Sequence, residues 1–317
     1  LTTKIIFMGT PDFAVPALTA LMKAQDYDIV AVVTQPDRPS GRGNKLTPSP
    51  IKLVAEQAGL LVLQPQTLKD KTAVAQLAAL QPDLMVVAAF GQILRNDVIG
   101  LPSHGCLNIH ASLLPRWRGA APVTAAIRAG DTETGITLMQ IDEGLDTGPI
   151  ISCRSTPLMP THTGGTLTAE LANIGAELLI ETLPAWLDGK ITPQPQNNQL
   201  ATLAPRLKKE AGDINWAQSA IEIERQVRAF DPWPGTFTHG PRGEFKILAV
   251  ELAMPVETSP AREPGTVFKH QRGLFVSTGQ GTIRLITVHP SGKKAMSAEA
   301  MLNGQPELLG AKLVVSE

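Results

Sequence analysis

The sequence predicts an α/β protein: a Rossmann-like, mostly parallel sheet domain followed by a small, OB-like β-barrel. Three observations lead there. From Lys4 to Leu187 short apolar runs alternate with amphipathic segments of helical period, the order of a βαβ fold. The apolar runs are hydrophobic at successive positions rather than at every second one, as in strands covered on both faces. After Gly189 the texture changes to short alternating segments separated by turn residues, the pattern of a small barrel. At 317 residues the chain is long for one core, so about two domains are expected: residues 1–189, a linker over 190–208, and 209–317.

Lys4 to Gly9 reads as the first strand and Asp12 to Ala24 as the helix after it. Asp28 to Thr34 is a second strand. A polar stretch rich in proline and glycine, Gln35 to Pro50, then leads to a helix over Ile51 to Ala58. Leu60 to Leu63, Leu84 to Phe90, Cys106 to His110, Ile136 to Ile141 and Ile150 to Ser155 are strands. Helices are expected over Lys69 to Leu80, Pro122 to Ala129 and Gly165 to Leu187. Ile191 to Pro205, rich in Pro, Gln, Asn and Thr, has no periodicity and reads as linker. Beyond it come a helix over Ala217 to Phe230 and strands over Lys246 to Leu252, Thr266 to Lys269, Gly273 to Ser277 and Thr282 to Val288.

Hydrophobic residues make up 43% and charged residues 18% of the chain, and the formal net charge is -1. That balance fits a folded protein and gives no overall pull on nucleic acid, so a polyanion must be held by a local basic patch. The two cysteines, Cys106 and Cys153, lie in apolar segments without ligand spacing and are expected to be buried and reduced, as in a cytoplasmic protein. His104 and His110 lack further ligands at a useful spacing, so no metal site is expected. No run approaches the roughly 20 apolar residues that span a bilayer, and a monomer is the default expectation.

Asn108 and His110 close an apolar strand, and their i, i+2 spacing puts both side chains on one face. Leu113-Leu114-Pro115 then turns the chain away. Together with Asp146 in Gly144-Leu145-Asp146-Thr147-Gly148, these residues supply an amide, an imidazole and a carboxylate, a set suited to receiving an oxyanion while protons move. The alternative is a capping Asn108, a satisfied core His110 and a loop carboxylate; spacing alone does not choose. Gly9-Thr10-Pro11-Asp12-Phe13 occupies the place of a dinucleotide loop but lacks GxGxxG, which argues against a nicotinamide dehydrogenase. Phe90-Gly91-Gln92-Ile93-Leu94 follows a buried strand at its carboxyl end, where open α/β sheets collect ligands, and Asp142-Glu143-Gly144 approaches the same edge. The stretch from Arg38 to Lys52 carries four basic residues, Arg38, Arg42, Lys45 and Lys52, and no acidic one. It reads either as a solvated loop or as a finger for a phosphate backbone. Lys293-Lys294 offers the same two readings.

With these residues assembled, the chain resembles the methionyl-tRNA branch of the folate-dependent formyltransferase family over essentially its whole length. The stretches that carry the likeness are Phe7 to Phe13, Gln35 to Gly43, Ser112 to Pro122, Gly144 to Gly148, Phe230 to Gly235 and Gly292 to Ser297. Phe90 stands where tyrosine is common, and Thr161-His162-Thr163-Gly164 replaces a more acidic stretch. The resemblance implies formyl transfer from 10-formyltetrahydrofolate to the α-amino group of methionyl initiator tRNA, without a metal. It implies catalytic roles for Asn108, His110 and Asp146, with Asp146 orienting His110. A folate pocket is implied along Phe90, Gly91, Gln92, Ile93 and Leu94, Ser112, Leu113, Leu114 and Pro115, and Asp142, Glu143 and Gly144. For tRNA it implies contacts from Arg38, Arg42, Lys45, Lys293 and Lys294. The rivals are the same transfer to a small amine, such as a nucleotide sugar or glycinamide ribonucleotide, and a non-catalytic RNA-binding module, which would leave the Asn108, His110 and Asp146 set without purpose.

Overall fold

The computed structural model describes residues 2–40, 45–253, 262–271 and 273–315. Apolar runs without alternation became the central strands. β1 (Thr3–Gly9), β2 (Tyr27–Val33), β5 (Val62–Leu63), β6 (Leu84–Ala88) and β7 (Cys106–His110) are parallel and lie in the order β7-β6-β1-β2-β5. Between β2 and β5 the polar stretch folds into a hairpin, β3 (Arg38–Ser40) and β4 (Lys45–Thr47), which periodicity did not foretell. Every residue of β6 is buried, because helices cover both faces of the sheet. The covering helices are α1 (Val15–Lys23), α2 (Pro50–Gln57) and α3 (Lys71–Ala79). α2 starts where Ser49 accepts the Lys52 N–H and Pro50 takes the first turn; Asp70 caps α3 in the same way, each satisfying an orphan donor.

After a short helix, α4 (Asn96–Ile99), the chain enters β7 and then makes a two-residue strand, β8 (Arg118–Gly119). Past α5 (Pro122–Ala129), β9 (Glu133–Gln140) adds antiparallel to β7, and β10 (Ile150–Pro157) adds antiparallel to β9 as the edge strand. One expectation is corrected here: Cys106 is buried, but Cys153 is exposed. β10 has one open face, so its outer residues alternate to solvent. α6 (Gly164–Leu187) follows, and β11 (Leu203–Ala204) pairs in parallel with β8.

The chain divides into two units: Leu1–Pro122 with Glu133–Pro157 and Leu167–Ala204, and Val123–Thr132 with Leu158–Thr166 and Pro205–Glu317. In the second unit α7 (Ala220–Ala229) opens with a complete capping box between Ser219 and Glu222. An antiparallel sheet follows: β12 (Thr236–Gly240), β13 (Gly243–Leu252), β14 (Val267–His270), β15 (Gly273–Ser277) and β16 (Thr282–Pro290), in the order β12-β13-β16-β15-β14. β17 (Met296–Ser297) pairs with β16 and leads into α8 (Ala298–Gly304). Residues 311–314 bind both edges: Val314 bridges to His239 and Lys312 to Thr266. Joined edges close the sheet into a barrel-like domain and, among the described residues, leave no long open edge. Its core gathers Ile223, Val227, Phe245, Ile247, Leu274, Leu285 and Met301. Among the described residues no helix is long and apolar enough to cross a membrane.

The two cysteines should therefore differ in reactivity. Burial pushes the Cys106 thiol up to about 12, so the native protein should titrate with a thiol reagent at one fast site, Cys153, with Cys106 reacting only on denaturation. Fast labelling of both in the native state would contradict this burial.

Candidate active site

Asn108 and His110 stand at the carboxyl end of β7, where β6 flanks one side and the antiparallel β9 the other. Their alternate spacing on the strand delivers both side chains to one face, and the loop after β9 returns Asp146 to the same place. Asn108 Nδ2 donates to Asp146 Oδ1 at 3.3 Å. The His110 ring Nδ1 lies 3.7 Å from Asp146 Oδ2, while its Nε2 contacts the Trp117 carbonyl at 3.0 Å. Asp146 Oδ2 also accepts the Gly119 N–H at 2.8 Å. One carboxylate thus ties together β7, the 117–119 segment and its own loop. Its shortest contact is to Gly119 rather than to His110, so it fixes Asn108 as much as the imidazole.

The backbone that holds this arrangement is unusual. Asp146 has φ 51° and Trp117 has φ 64°; aspartate is among the residues that take this left-handed region most readily, whereas a bulky indole keeps it only where its surroundings enforce it. At Trp117 the enforcement comes from Thr202, whose Oγ1 accepts the Trp117 N–H at 2.9 Å. The Arg116 guanidinium lies over the Trp117 ring, 4.3 Å from its centroid. Gly119 is required sterically: its φ is 117°, and a Cβ there would come within 2.6 Å of the Ala204 carbonyl oxygen.

The residues expected to line a pocket fall into two groups. The loop after β6 carries Phe90, buried, with its carbonyl accepting from Thr10 Oγ1 at 2.9 Å and Gln35 Nε2 at 3.2 Å. Gly91 turns with φ 83°, Ile93 is 84% exposed and Leu94 is buried. Gln92 is spent on structure: it accepts the Leu68 N–H and donates to the Pro65 carbonyl. Across from this loop, Asp142 accepts from Gly144 N and Thr147 Oγ1, and Glu143 accepts from Asn96 Nδ2, joining the two walls. Ser112 and Leu114 are buried. The Ser112 hydroxyl donates to the Arg116 carbonyl at 2.6 Å, and Thr137 Oγ1 links the Ser112 carbonyl to the Leu114 N–H. Ser112, Leu113, Leu114 and Pro115 therefore make the turn that follows β7, and Leu113 and Pro115 are only partly exposed.

Of the basic residues, Arg38 and Lys45 sit exposed on the β3–β4 hairpin, while Arg42 lies outside the described residues. Arg38 Nη2 donates to Gln35 Oε1 at 3.3 Å. Lys52 is not available to a phosphate in the same sense: its Nζ is 2.7 Å from Asp37, whose carboxyl the Lys52 ammonium holds below its usual range. Lys293 and Lys294 are exposed after β16 in the second unit. Sequence reasoning passed over Gln35, Gln196 and the roles of Arg118, Gly119 and Thr202. None has a periodic signal, since each acts through hydrogen bonds to partners far away in the chain. Among the described residues no group of three or more His, Cys, Asp or Glu is placed to hold a metal ion.

Comparison with known proteins bears on this geometry. The profile described as formyl transferase matches residues 3–183, and that of the formyl transferase C-terminal domain matches 206–306. A methionyl-tRNA formyltransferase of Marinobacter nauticus is 50% identical over 96% of this chain and 97% of its own length. One from a Roseiflexus species is 48% identical over 93% and 90%. Among solved structures, a sugar 3N-formyl transferase, WlaRD, superposes with a TM-score of 0.66 at 19% identity, covering 93% of this chain and 100% of its own. HypX from Aquifex aeolicus, in complex with tetrahydrofolic acid, gives 0.59 at 17%, over 95% and 47%.

Gly119→Ala should strain the backbone and push against Ala204. The expected loss is about 1–3 kcal/mol of stability, of the size stored in disfavoured backbone, read from the urea midpoint. An unchanged midpoint would show that residues 117–119 and 202–204 yield without cost.

Proposed function

The chain belongs to the formyl transferase family, and from that premise we propose how its residues carry out formyl transfer to methionyl-tRNA. The donor is 10-formyltetrahydrofolate and the acceptor is the α-amino group of methionine esterified to the tRNA. The observation that carries the assignment is the meeting of Asn108, His110 and Asp146 at one strand end in a chain half identical to such an enzyme over nearly its full length. The sugar formyltransferases share the fold at 19–20% identity, too low to suggest a sugar acceptor.

The chemistry asks little of a base. An α-amino group titrates near pH 7.7–8.0, and the adjacent ester lowers that, so much of it is neutral near pH 7. Attack on the formyl carbon builds negative charge on its oxygen. In this proposal Asn108, with one N–H on Asp146 and a second unspent, donates to that oxygen. With Nε2 donating to the Trp117 carbonyl, it is the protonated His110 ring whose Nδ1, at 3.7 Å from its carboxylate rather than in a short bond, can donate to that oxygen; such contacts often tighten only with substrate bound. Asp146 holds both donors and passes a proton from the attacking amine toward the departing one. Donors set in advance stabilise developing charge without reorganising at the moment of reaction.

The folate fits the two joined walls: Ile93 and its neighbours offer an apolar edge to a flat heterocycle, and the Gly91 turn and the 142–144 loop offer backbone polar groups. We place Phe90, Gly91, Gln92, Ile93, Leu94, Ser112, Leu113, Leu114, Pro115, Asp142, Glu143 and Gly144 around it, with Gln92, Ser112 and Leu114 as frame. Arg38 and Lys45 on the hairpin, together with Arg42, meet the acceptor end of an initiator tRNA, and Lys293 and Lys294 add contacts. Phosphate contacts of this kind position the substrate without reading its sequence. Monomeric action in the cytoplasm completes the proposal.

Formyl transfer assayed with initiator and elongator methionyl-tRNA side by side tests the acceptor: rapid formylation of the initiator alone is expected, and transfer to neither would move the acceptor to a small amine. Asn108→Ala should lower kcat about 10²–10³-fold, as loss of one oxyanion donor does, with folate binding intact; normal turnover in a folded variant would remove Asn108 from the chemistry. Arg38→Ala and Arg42→Ala should each raise the tRNA KM and flatten its salt dependence by about one unit of slope, leaving folate affinity unchanged. Identical tRNA kinetics would show the hairpin to be a solvated surface.

A further inference from the structure

Residues 194–204 have no helical or strand period, yet they reach into the loops that carry Asp146 and Trp117. Gln196 is the pivot. Its Nε2 donates to the carbonyls of Asp146 at 2.9 Å and Gly148 at 2.7 Å. Its Oε1 accepts from Arg118 Nε at 3.0 Å and Nη2 at 2.8 Å. Arg118 Nη2 also donates to Asn198 Oδ1 at 2.8 Å. The chemistry fixes the orientation of the Gln196 amide, since its NH₂ group cannot face a guanidinium, which only donates.

Arg118 is 6% exposed, and its side-chain partners here are neutral amide oxygens. A buried charge is tolerated only when its hydrogen bonds are made, so the guanidinium and Gln196 hold one another in place. The backbone closes the same seam. Gln194 and Ile150 exchange two N–H to carbonyl bonds at 2.8 Å. Arg118 N donates to the Thr202 carbonyl at 2.9 Å, and Ala120 N donates to that of Ala204 at 2.8 Å. The segment is thus a strap across the two loops that meet at the Asp146–Gly119 hydrogen bond, and its only side chain on the Asp146 backbone itself is Gln196.

We propose that Gln196, anchored by the buried Arg118, is a positioning residue that holds Asp146 in its left-handed conformation against Asn108 and His110. The proposal rests on the catalytic reading of those three residues. Gln196 touches no reacting atom; it acts by fixing the carbonyls on either side of the turn, so that the Asp146 carboxylate meets Gly119 and the two donors of β7. A displacement of about 1 Å at such a residue can cost on the order of 100-fold in rate.

The test uses the full-length chain with Gln196→Ala and Gln196→Glu. The second keeps an acceptor for Arg118 but sets a carboxylate against two carbonyl oxygens, separating loss of the clamp from loss of the anchor. Both should lower kcat about 10–100-fold with KM for methionyl-tRNA and folate unchanged. In an Asp146→Asn background, Gln196→Ala should cost nothing more, because residues acting as a unit are not additive. Independently of turnover, the Gly119 amide should exchange its hydrogen faster in Gln196→Ala than in wild type. If Gln196→Ala does not fold, the cycle and the exchange measurement are run with Gln196→Glu. Full additivity of the two substitutions, or unchanged Gly119 protection in the folded variant, overturns the clamp even if the enzyme formylates methionyl-tRNA. Wild-type turnover in Asp146→Asn removes the catalytic reading beneath it, and the proposal with it.

Discussion

The Asp146 carboxylate is the knot on which this architecture depends. It accepts from the Gly119 backbone and from the Asn108 amide and faces the His110 ring, so that it joins β7, the 117–119 segment and its own loop. A hydrogen bond to an ionised acceptor contributes about 1.5–3 kcal/mol, comparable with the strain of a left-handed backbone. The bonds at Asp146 and the backbone strain at Trp117 are therefore of one scale. Gly119 is the permissive element: only a residue without a Cβ can bring its N–H to the carboxylate while lying against the Ala204 carbonyl.

Everything upstream serves to place that knot. The parallel strands bring the ends of β6 and β7 to one edge of the sheet. β9 pairs antiparallel with β7, so the loop after it has to fold back to reach Asn108 and His110. The 194–204 strap supports the returning loop from outside. A parallel sheet edge alone gives a place for a ligand; this reversed strand and its strap make the edge into a site with a carboxylate.

The basic hairpin is a second construction with its own footing. Gln35 accepts from Arg38 and donates to the Phe90 carbonyl, while Lys52 and Gln64 hold Asp37. Its base is thus tied to the loop proposed to meet folate, while Arg38 and Lys45 stay exposed on its strands. The near-zero net charge of the chain is compatible with tRNA as a substrate because the charge that matters is local.

The sequence by itself determined the sheet and its helices, since apolar runs such as Leu84 to Ala88 and capped starts such as Ser49-Pro50 carry their structure locally. It also picked out Asn108 and His110, because a strand's period of two puts both on one face. Tertiary structure alone decided the rest. The β3–β4 hairpin and β12 are short and polar, and they become strands only by pairing. Cys153 is exposed because it lies on the open face of β10, and which face stays uncovered no local pattern states. Gln196 and Arg118 sit in a stretch whose composition reads as linker; their partners lie 48 to 80 residues away in the chain. A side chain that works through long-range hydrogen bonds leaves no periodic trace, and only the folded chain brings its partners within reach.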